Sequence, residues 1–265
     1  MEINEIHCKT ALSKSNLPGL DYSLNPYNGC QHNCVYCYVP NVLRISRENW
    51  GGFVNVKTNI PVVLSKELKR KKSGIVGIST VTDPYQPVEK KYQLTRYCLE
   101  QLLRYDFPVC IQTKSKLVLR DIDLISKFSN AEVMLSIGTI NDNERKILEP
   151  YSSSISERLN VLKQFSNIGV KTSVFFGPIY PTIKIRDLPR IVDIFIEHGV
   201  TEIMIDKFNL KPGIQKNIEY ILKSNSSLKR AFYDNVFNMQ VFFEKVKEEM
   251  YMLSRSKNIK IVSAF

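Results

Sequence analysis

Residues 25–40 read NPYNGCQHNCVYCYVP and place Cys30, Cys34 and Cys37 on one short segment. Three and then two residues separate these cysteines, so their thiolates can bind three irons of a [4Fe–4S] cube from one tight loop. The fourth iron would receive no ligand from this segment, and an open coordination position distinguishes a reactive metal centre from a structural one. The spacing therefore predicts an open iron–sulfur site.

Other uses of these thiols have to be weighed against that prediction. Cys34 and Cys37 form a C-x2-C pair that His32 or Cys30 could extend into a zinc site, but structural zinc usually needs two such knuckles and the sequence offers one. A redox dithiol would leave the third cysteine unexplained, and a chance cluster of buried thiols is a further alternative. The N-terminal segment MEINEIHCKT is polar and does not read as a secretory signal. We therefore expect a cytoplasmic, reducing setting, in which clustered thiols indicate metal binding before disulfides.

Outward from this loop, short apolar runs alternate with longer segments of helical period. Helices are predicted at residues 90–105, 154–168 and 186–198, and residues 89–91 are predicted to form an exposed helix start. Ser154 and Glu157 have the spacing of a capping box. The runs that have the length and composition of buried parallel strands are residues 22–24, 74–80, 108–113, 132–137, 171–176 and 201–205.

This alternation predicts an α/β fold of parallel βαβ units with right-handed crossovers. Six units make a partial (β/α)6 TIM-type barrel, which we place at residues 20–210. Residues 1–19 are predicted to be an N-terminal extension. Residues 211–265 are predicted to be a helical extension packed on the barrel, with helices near 214–223 and 228–254 and a short apolar piece at 259–263. In parallel barrels the chemistry lies in loops at the carboxyl ends of strands.

The composition adds information about partners. The 265 residues include 37 Lys and Arg against 26 Asp and Glu, a formal net charge of +11. Such an excess favours an anionic partner such as nucleic acid, although a solvated basic surface is an equal alternative. No stretch approaches the roughly 20 apolar residues of a membrane-spanning helix, so a membrane partner is not expected.

Several strings of residues resemble one known family. The cysteine spacing, with Tyr36 just before the last cysteine, resembles the signature of radical S-adenosylmethionine (SAM) enzymes. NPYNGCQHNCVYCY and TDPYQPVEKKY together resemble the branch related to spore photoproduct lyase, often labelled DNA repair photolyase. The resemblance covers about residues 20–210. Further similarity runs through TKSKLVLRDIDLI, SIGT, ILEPYSSSISERL and FFGPIYP.

The resemblance implies a set of cofactors and roles. Cys30, Cys34 and Cys37 would hold a [4Fe–4S] cluster, and an external one-electron donor of the flavodoxin or ferredoxin type would reduce it. Reductive cleavage of SAM would then release a 5′-deoxyadenosyl radical that abstracts hydrogen from a substrate. The residues that the resemblance places around SAM are Tyr36 near the adenine, Ser79 and Thr80 at the amino group, Lys114 at the carboxylate and Ser136 at the ribose. Each of these also has an ordinary structural interpretation, such as a packed aromatic or a surface lysine.

The sequence also departs from the family pattern. Many members have Gly-Gly-Glu after the second strand, where this chain has Ser-Thr-Val-Thr and then Asp83, a candidate acidic partner of SAM. Spore photoproduct lyases carry a hydrogen-donating cysteine in that region, where this chain has Ser79 and Thr80. Cys110 and Tyr180 are therefore further catalytic candidates, and no catalytic residue is assigned. Cys98 falls on the apolar face of a predicted helix and is expected to be inert.

Three functions follow from these observations. The first is a radical SAM enzyme acting on nucleic acid by lyase-like chemistry. The second is the same radical chemistry on a peptide or protein. The third is a non-enzymatic, metal-containing protein that binds nucleic acid.

Overall fold

The computed structural model describes residues 1–223, 225–236 and 239–264, and an eight-stranded sheet organises these residues. The strands in chain order are β1 (Glu2–Ile6), β2 (Leu12–Lys14), β3 (Tyr22–Leu24), β4 (Tyr27–Asn28), β5 (Phe53–Lys57), β6 (Val76–Ile78), β7 (Val109–Thr113), β8 (Ala131–Ser136), β9 (Lys171–Phe176), β10 (Glu202–Ile205) and β11 (Lys260–Ser263). The helices are α1 (Val39–Leu43), α2 (Ile60–Leu68), α3 (Glu89–Tyr92), α4 (Leu94–Arg104), α5 (Ile122–Ile125), α6 (Asp142–Leu148), α7 (Ile155–Asn167), α8 (Leu188–Glu197), α9 (Pro212–Leu222), α10 (Ser226–Val236) and α11 (Met239–Ser256).

The large sheet has the order β11-β10-β9-β8-β7-β6-β3-β2. Its pairs from β3 through β11 are parallel, and β2 joins β3 in the antiparallel sense. The strands from β3 to β10 therefore follow one another around the sheet in chain order, as successive right-handed βαβ units require. This arrangement confirms the predicted partial (β/α)6 barrel, and it brings the carboxyl ends of these strands to one edge.

Local sequence signals explain several helix boundaries. Ser154 Oγ accepts from the Glu157 backbone N–H, and the Glu157 side chain accepts from the Ser154 N–H, so the predicted capping box starts α7. The predicted helix at 90–105 is divided into α3 and α4 because Gln93 adopts the left-handed conformation, with φ of +51°. The prediction of an exposed helix start at 89–91 is wrong for Glu89, which is fully buried and accepts hydrogen bonds from Tyr27 and Arg120.

The two ends of the chain extend the barrel. β1 pairs in parallel with β5, and β4 pairs antiparallel with β5 on its other side, so residues 2–6 belong to a small second sheet of the described chain. The predicted C-terminal helices correspond to α9, α10 and α11, although part of the segment predicted as one helix at 228–254 lies outside the described residues. Among the helices of the described ranges, none is both long and apolar enough to cross a membrane.

Candidate metal centre

The segment from Asn25 carries the chain out of β3, beside the end of β6. The Asn25 side-chain oxygen accepts from the backbone N–H groups of Thr80 and Val81, each at 3.0 Å. Ser79 precedes them with φ of +65°, a left-handed conformation that is uncommon for residues other than glycine. Its side chain is buried, and among the described residues its Oγ has no hydrogen-bond partner. The loop after β6 is therefore fixed by Asn25, with one buried hydroxyl uncommitted.

Contacts from several elements shape the cysteine loop. Gly29 has φ of +93°, and a Cβ there would lie 2.4 Å from the Phe53 carbonyl oxygen, so this position requires glycine. The Gln31 N–H donates to the Gln86 side chain at 2.9 Å, and the Gln31 side chain accepts from the Val88 N–H at 2.5 Å. The Val35 N–H donates to the Leu148 carbonyl at the end of α6, at 2.9 Å. The loop is thus anchored on both sides of the barrel mouth.

The three cysteine thiols of this loop are close enough to influence one another. All six cysteines lie within the described residues and are free thiols, with Cys30 buried and Cys34 and Cys37 half-buried. Burial raises the pKa of Cys30 to about 12, and the nearby Cys37 adds to this increase. Burial also raises the pKa of Cys34, which the cation of Lys114 opposes.

The chemistry of these donors fits an iron–sulfur cluster with one open iron. Thiolates prefer iron–sulfur clusters or zinc to hard cations such as Mg²⁺, and free thiols on one loop can supply three ligands together. In the described chain, no group of three His, Cys, Asp or Glu side chains is already arranged to hold a metal ion.

Asp83 connects the β6 exit with the cysteine loop and with β7. Its side-chain oxygens accept from Tyr85 N–H at 2.9 Å, Thr113 Oγ1 at 2.6 Å and Lys114 N–H at 2.8 Å. Oδ2 also lies 3.2 Å from His32 Nδ1, an ion-pair distance, although this ring nitrogen makes no hydrogen bond of normal geometry to any described residue. Burial alone would raise the pKa of Asp83, but His32 and these donors hold the pKa well below its usual range. The carboxylate is committed to fixing the backbone.

Glu149 is the corresponding group on the other side of the loop. It is 1% exposed and accepts hydrogen bonds from Tyr36 Oη and from Arg158, which is itself fully buried. Two further hydroxyls donate to the Glu149 carboxylate: Ser152 Oγ at 3.1 Å and Tyr180 Oη at 3.3 Å. Burial alone would raise the pKa of Glu149, but the positive charges of Arg158 and Lys114 and the donated hydrogen bonds lower it to about 2. Tyr36, from the cysteine motif, is thereby bonded to a buried ion pair.

The structure brings most of the predicted SAM-binding residues to this edge. Lys114 follows β7, is half-buried, and has its Nζ 5.9 Å from the centre of the Tyr36 ring. Burial alone would lower the pKa of Lys114, but Cys34 and Glu149 raise it above its ordinary value. Ser136 ends β8, where its Oγ accepts from Gln112 at 3.1 Å and its carbonyl accepts from Arg158 at 2.6 Å. Ser79 and Thr80 follow β6.

The remaining catalytic candidates differ in position. Tyr180 is fully buried and packs edge-to-face on Tyr36, with ring centres 5.8 Å apart. Cys110 is the second residue of β7 and pairs with Gly77 and Glu132, towards the amino ends of the strands. Burial raises the pKa of Cys110 to about 12, and Glu132 adds to the increase. Cys110 is therefore separated from the cysteine loop along the strand direction, whereas Tyr180 contacts a residue of the motif.

Several residues that shape the site could not be recognised from the sequence. Asn25 and Gln86 lie inside quoted motifs, yet their roles depend on contacts with residues more than fifty positions away. Arg47 Nη1 donates to the Cys37 carbonyl at 2.8 Å, and Trp50 packs beside the cysteines, but neither residue belongs to a motif. Arg158 lies in the string ILEPYSSSISERL, which does not indicate that its side chain pairs with Glu149.

A partial parallel barrel with a cysteine-rich loop after its first barrel strand defines a class of metal-dependent barrel enzymes. Residues 24–195 match the radical SAM superfamily, and the chain belongs to that family of enzymes. The cofactors of the family are a [4Fe–4S] cluster and SAM.

Individual relatives and structures agree with this family. An uncharacterized protein of Methanocaldococcus jannaschii is 38% identical over 185 residues, which cover 69% of this chain and 70% of the relative. The fold is similar to that of a spore photoproduct lyase mutant, with a TM-score of 0.72 at 12% identity, over 100% of this chain and 82% of that chain. A second mutant, with bound AdoMet and dinucleoside spore photoproduct, gives a TM-score of 0.66 at 15% identity, over 83% of this chain and 66% of that chain. This chain therefore spans about two thirds of the second structure.

Proposed function

We propose that this enzyme holds its [4Fe–4S] cluster through Cys30, Cys34 and Cys37 and uses SAM to modify a nucleic acid. The observation that carries the ligand assignment is the set of free, mutually interacting thiols on one loop, next to the Lys114 cation. When bound and reduced by an external one-electron donor of the flavodoxin or ferredoxin type, the cluster supplies the electron that cleaves SAM. The chain's own residues hold and orient SAM and the substrate.

The proposed contacts with SAM use groups with unused capacity at the strand exits. Lys114 is a cation close to Cys34, so it is suited to bind a carboxylate at the open iron. Ser79 has a buried hydroxyl with no partner in the described part of the chain, so it can bond the amino group, and Thr80 lies next to it. Tyr36, whose ring centre lies 5.9 Å from Lys114 Nζ, and Ser136, at the end of β8 next to β7, would contact the adenine and the ribose. Asp83 has its oxygens occupied, which favours a structural role over contact with SAM.

A cleft between α6 and the end of α9 supports nucleic acid as the substrate. Ile147 of α6 lines this cleft together with Tyr220, Ile221, Lys223 and Asn225 from the end of α9 and the residues after it. Tyr220 is 70% exposed, and Lys223 Nζ lies 5.8 Å from the centre of its ring. An exposed aromatic ring beside a cation can stack a base and bind its phosphate. Leu148, next to Ile147 on α6, accepts the hydrogen bond from Val35 of the cysteine loop, so α6 contributes both to the cleft and to the support of the loop.

The net charge and the fold also support nucleic acid as the substrate. The net charge of +11 favours a polyanion. One spore photoproduct lyase of similar fold was solved with a dinucleoside lesion, and we extend that substrate class to this chain.

The ligand assignment is tested with Cys34→Ala and the matched variant Cys98→Ala, whose thiol is fully buried on α4. Anaerobically reconstituted wild-type protein and Cys98→Ala should bind about four irons and release 5′-deoxyadenosine from SAM after reduction. Cys34→Ala should do neither. Stoichiometric zinc in place of iron, or a Cys34→Ala protein that still cleaves SAM, would overturn the assignment.

The substrate class is tested by binding and by isotope transfer. Fluorescent single-stranded and double-stranded oligonucleotides should bind with an affinity that falls steeply as salt rises. Tyr220→Ala and Lys223→Ala should weaken binding. The matched controls are Tyr97→Ala on α4 and Lys69→Ala at the end of α2, two exposed positions where the substitution should leave binding unchanged. Deuterium from a labelled oligonucleotide pool should appear in 5′-deoxyadenosine. Salt-independent binding, with deuterium transferred from a labelled peptide pool instead, would assign the radical chemistry to peptides.

A further inference from the structure

Trp50 lies against the cysteine loop from a segment that carries no recognised motif. It follows a short 3-10 helix, Arg47–Asn49, after α1. Its side chain is 5% exposed and packs with Cys30 and Val39 in a small apolar cluster, separate from the main core, which Cys37 also contacts. The indole therefore covers one side of the proposed cluster ligands.

The indole N–H of Trp50 is a buried donor without an ordinary acceptor. Among the described residues, Nε1 has no hydrogen-bond partner of normal geometry. A buried donor without an acceptor has lost its hydrogen bond to water with no replacement, so such donors are rare in folded proteins. Where one occurs, an acceptor that belongs to a bound group is a physical explanation.

The sulfur of Cys37 is the acceptor that the surroundings offer. The Cys37 side chain packs against the small cluster that contains Trp50, and the Trp50 side chain lies near enough to act on the Cys37 thiol. The Arg47 guanidinium is already engaged with the Cys37 carbonyl at 2.8 Å and with Asn41. The Trp50 N–H is therefore an uncommitted side-chain donor beside this sulfur.

We propose that the Trp50 indole N–H donates a hydrogen bond to the Cys37 sulfur when that sulfur binds the cluster, and that this bond raises the cluster's reduction potential. The inference rests on the proposed function, because it requires Cys37 to be a ligand. Reduction adds negative charge that spreads onto the ligand sulfurs, so a donor stabilises the reduced state more than the oxidised state. Trp50 is a positioning residue that acts through Cys37, and it does not touch SAM or the substrate.

Trp50→Phe separates this hydrogen bond from packing, because phenylalanine retains an apolar ring but has no N–H. Val39→Ala is the matched control, because it removes packing from the same small cluster without removing a donor. Redox titration of the reconstituted cluster, followed by electron paramagnetic resonance, measures the midpoint potential. We expect Trp50→Phe to lower the equilibrium constant for reduction about threefold to tenfold, and tenfold corresponds to ~59 mV for one electron. Val39→Ala should shift the potential by much less.

A second measurement detects the proton itself. Electron–nuclear double resonance of the reduced cluster, in H2O and after exchange into D2O, should show an exchangeable proton coupling in wild-type protein that Trp50→Phe lacks. Equal potentials and unchanged couplings in wild type and Trp50→Phe would overturn this inference while leaving the ligand assignment intact. Wild-type protein that assembles no cluster would instead overturn the proposed function. A Trp50→Phe shift that Val39→Ala reproduces would assign the effect to packing and reject the hydrogen bond.

Discussion

Two buried carboxylates flank the cysteine loop, and each reaches a residue that lies between two of its cysteines. Asp83, after β6, contacts His32, which lies between Cys30 and Cys34. Glu149, after α6, bonds Tyr36, which lies between Cys34 and Cys37. Both carboxylates have lowered pKa values, although burial alone would raise them. The loop is therefore attached to the barrel at both spacers of its motif.

The two attachments differ in their electrostatics. Glu149 is balanced by the permanent cation of Arg158, so its side of the loop depends on a buried ion pair. Asp83 accepts from two backbone N–H groups and the Thr113 hydroxyl, and it lies at ion-pair distance from His32, an ionisable residue rather than a permanent cation. Removing one partner of a buried ion pair strongly lowers the free energy of unfolding. Removing one hydrogen bond from a carboxylate that accepts several lowers it by a smaller amount. Although both carboxylates attach the loop to the barrel, we expect the stability of the protein to respond differently to mutation and pH at the two sites.

Arg158→Met should have the largest effect, because it leaves Glu149 buried without its cation. Removing one partner of a buried pair costs about 3–5 kcal/mol. Urea unfolding of the metal-free protein at neutral pH measures this loss. Arg190→Met, which breaks the exposed pair with Glu197, should stay within about 0.5 kcal/mol of wild type. If the two variants were equally stable, the Glu149 side would not depend on its ion pair.

Glu149→Gln should remove a part of the acid sensitivity of folding. The pKa of Glu149 is about 2 in the folded protein against an ordinary value of 4.5, so its ionised form stabilises folding above about pH 4.5. That contribution, on the order of 3 kcal/mol, is lost as the pH falls through 4.5 towards 2. Urea midpoints measured from pH 6 to pH 2.5 should therefore fall less steeply for Glu149→Gln than for wild type. Parallel curves would show that Glu149 is not held ionised by its surroundings.

The fold could be predicted from the sequence, whereas the two attachments of the loop could not. The cysteine spacing, the alternation of apolar runs with helical segments and the α7 capping box are local patterns. They predicted the fold and, through it, that Ser79, Lys114 and Ser136 lie at the carboxyl ends of neighbouring strands. The partners of the loop are not local. Tyr36 and Glu149 are 113 residues apart, and no periodicity links them. Glu89 shows the same limit, because a charged residue beside two lysines reads as exposed until Arg120 and Tyr27 are brought to it by folding.

Asp83→Asn should have an intermediate effect, which sharpens the contrast with Glu149. The amide retains one acceptor oxygen, but its NH2 group would face a donor, most directly the Lys114 N–H, and leave it unpaired. An unpaired buried donor costs about 1–3 kcal/mol. Urea unfolding at neutral pH measures the loss, with Asp123→Asn as the control, since Asp123 is 54% exposed and pairs with Arg96. A loss as large as that of Arg158→Met would mean that the Asp83 side is equally dependent on charge.

Tyr180→Phe should have the smallest effect, because it removes one hydrogen bond and no charge. The Tyr180 hydroxyl lies 3.3 Å from Glu149, whose carboxylate still receives Arg158, Tyr36 and Ser152. We expect a loss of about 0.5–1.5 kcal/mol in urea unfolding and an unchanged iron content. Tyr36→Phe is the informative comparison, because it removes a bond to the same carboxylate from within the cysteine motif and should reduce iron incorporation at similar stability. If Tyr180→Phe lost iron as readily as Tyr36→Phe, the Glu149 cluster as a whole, rather than the attachment of the loop to it, would determine assembly of the metal centre.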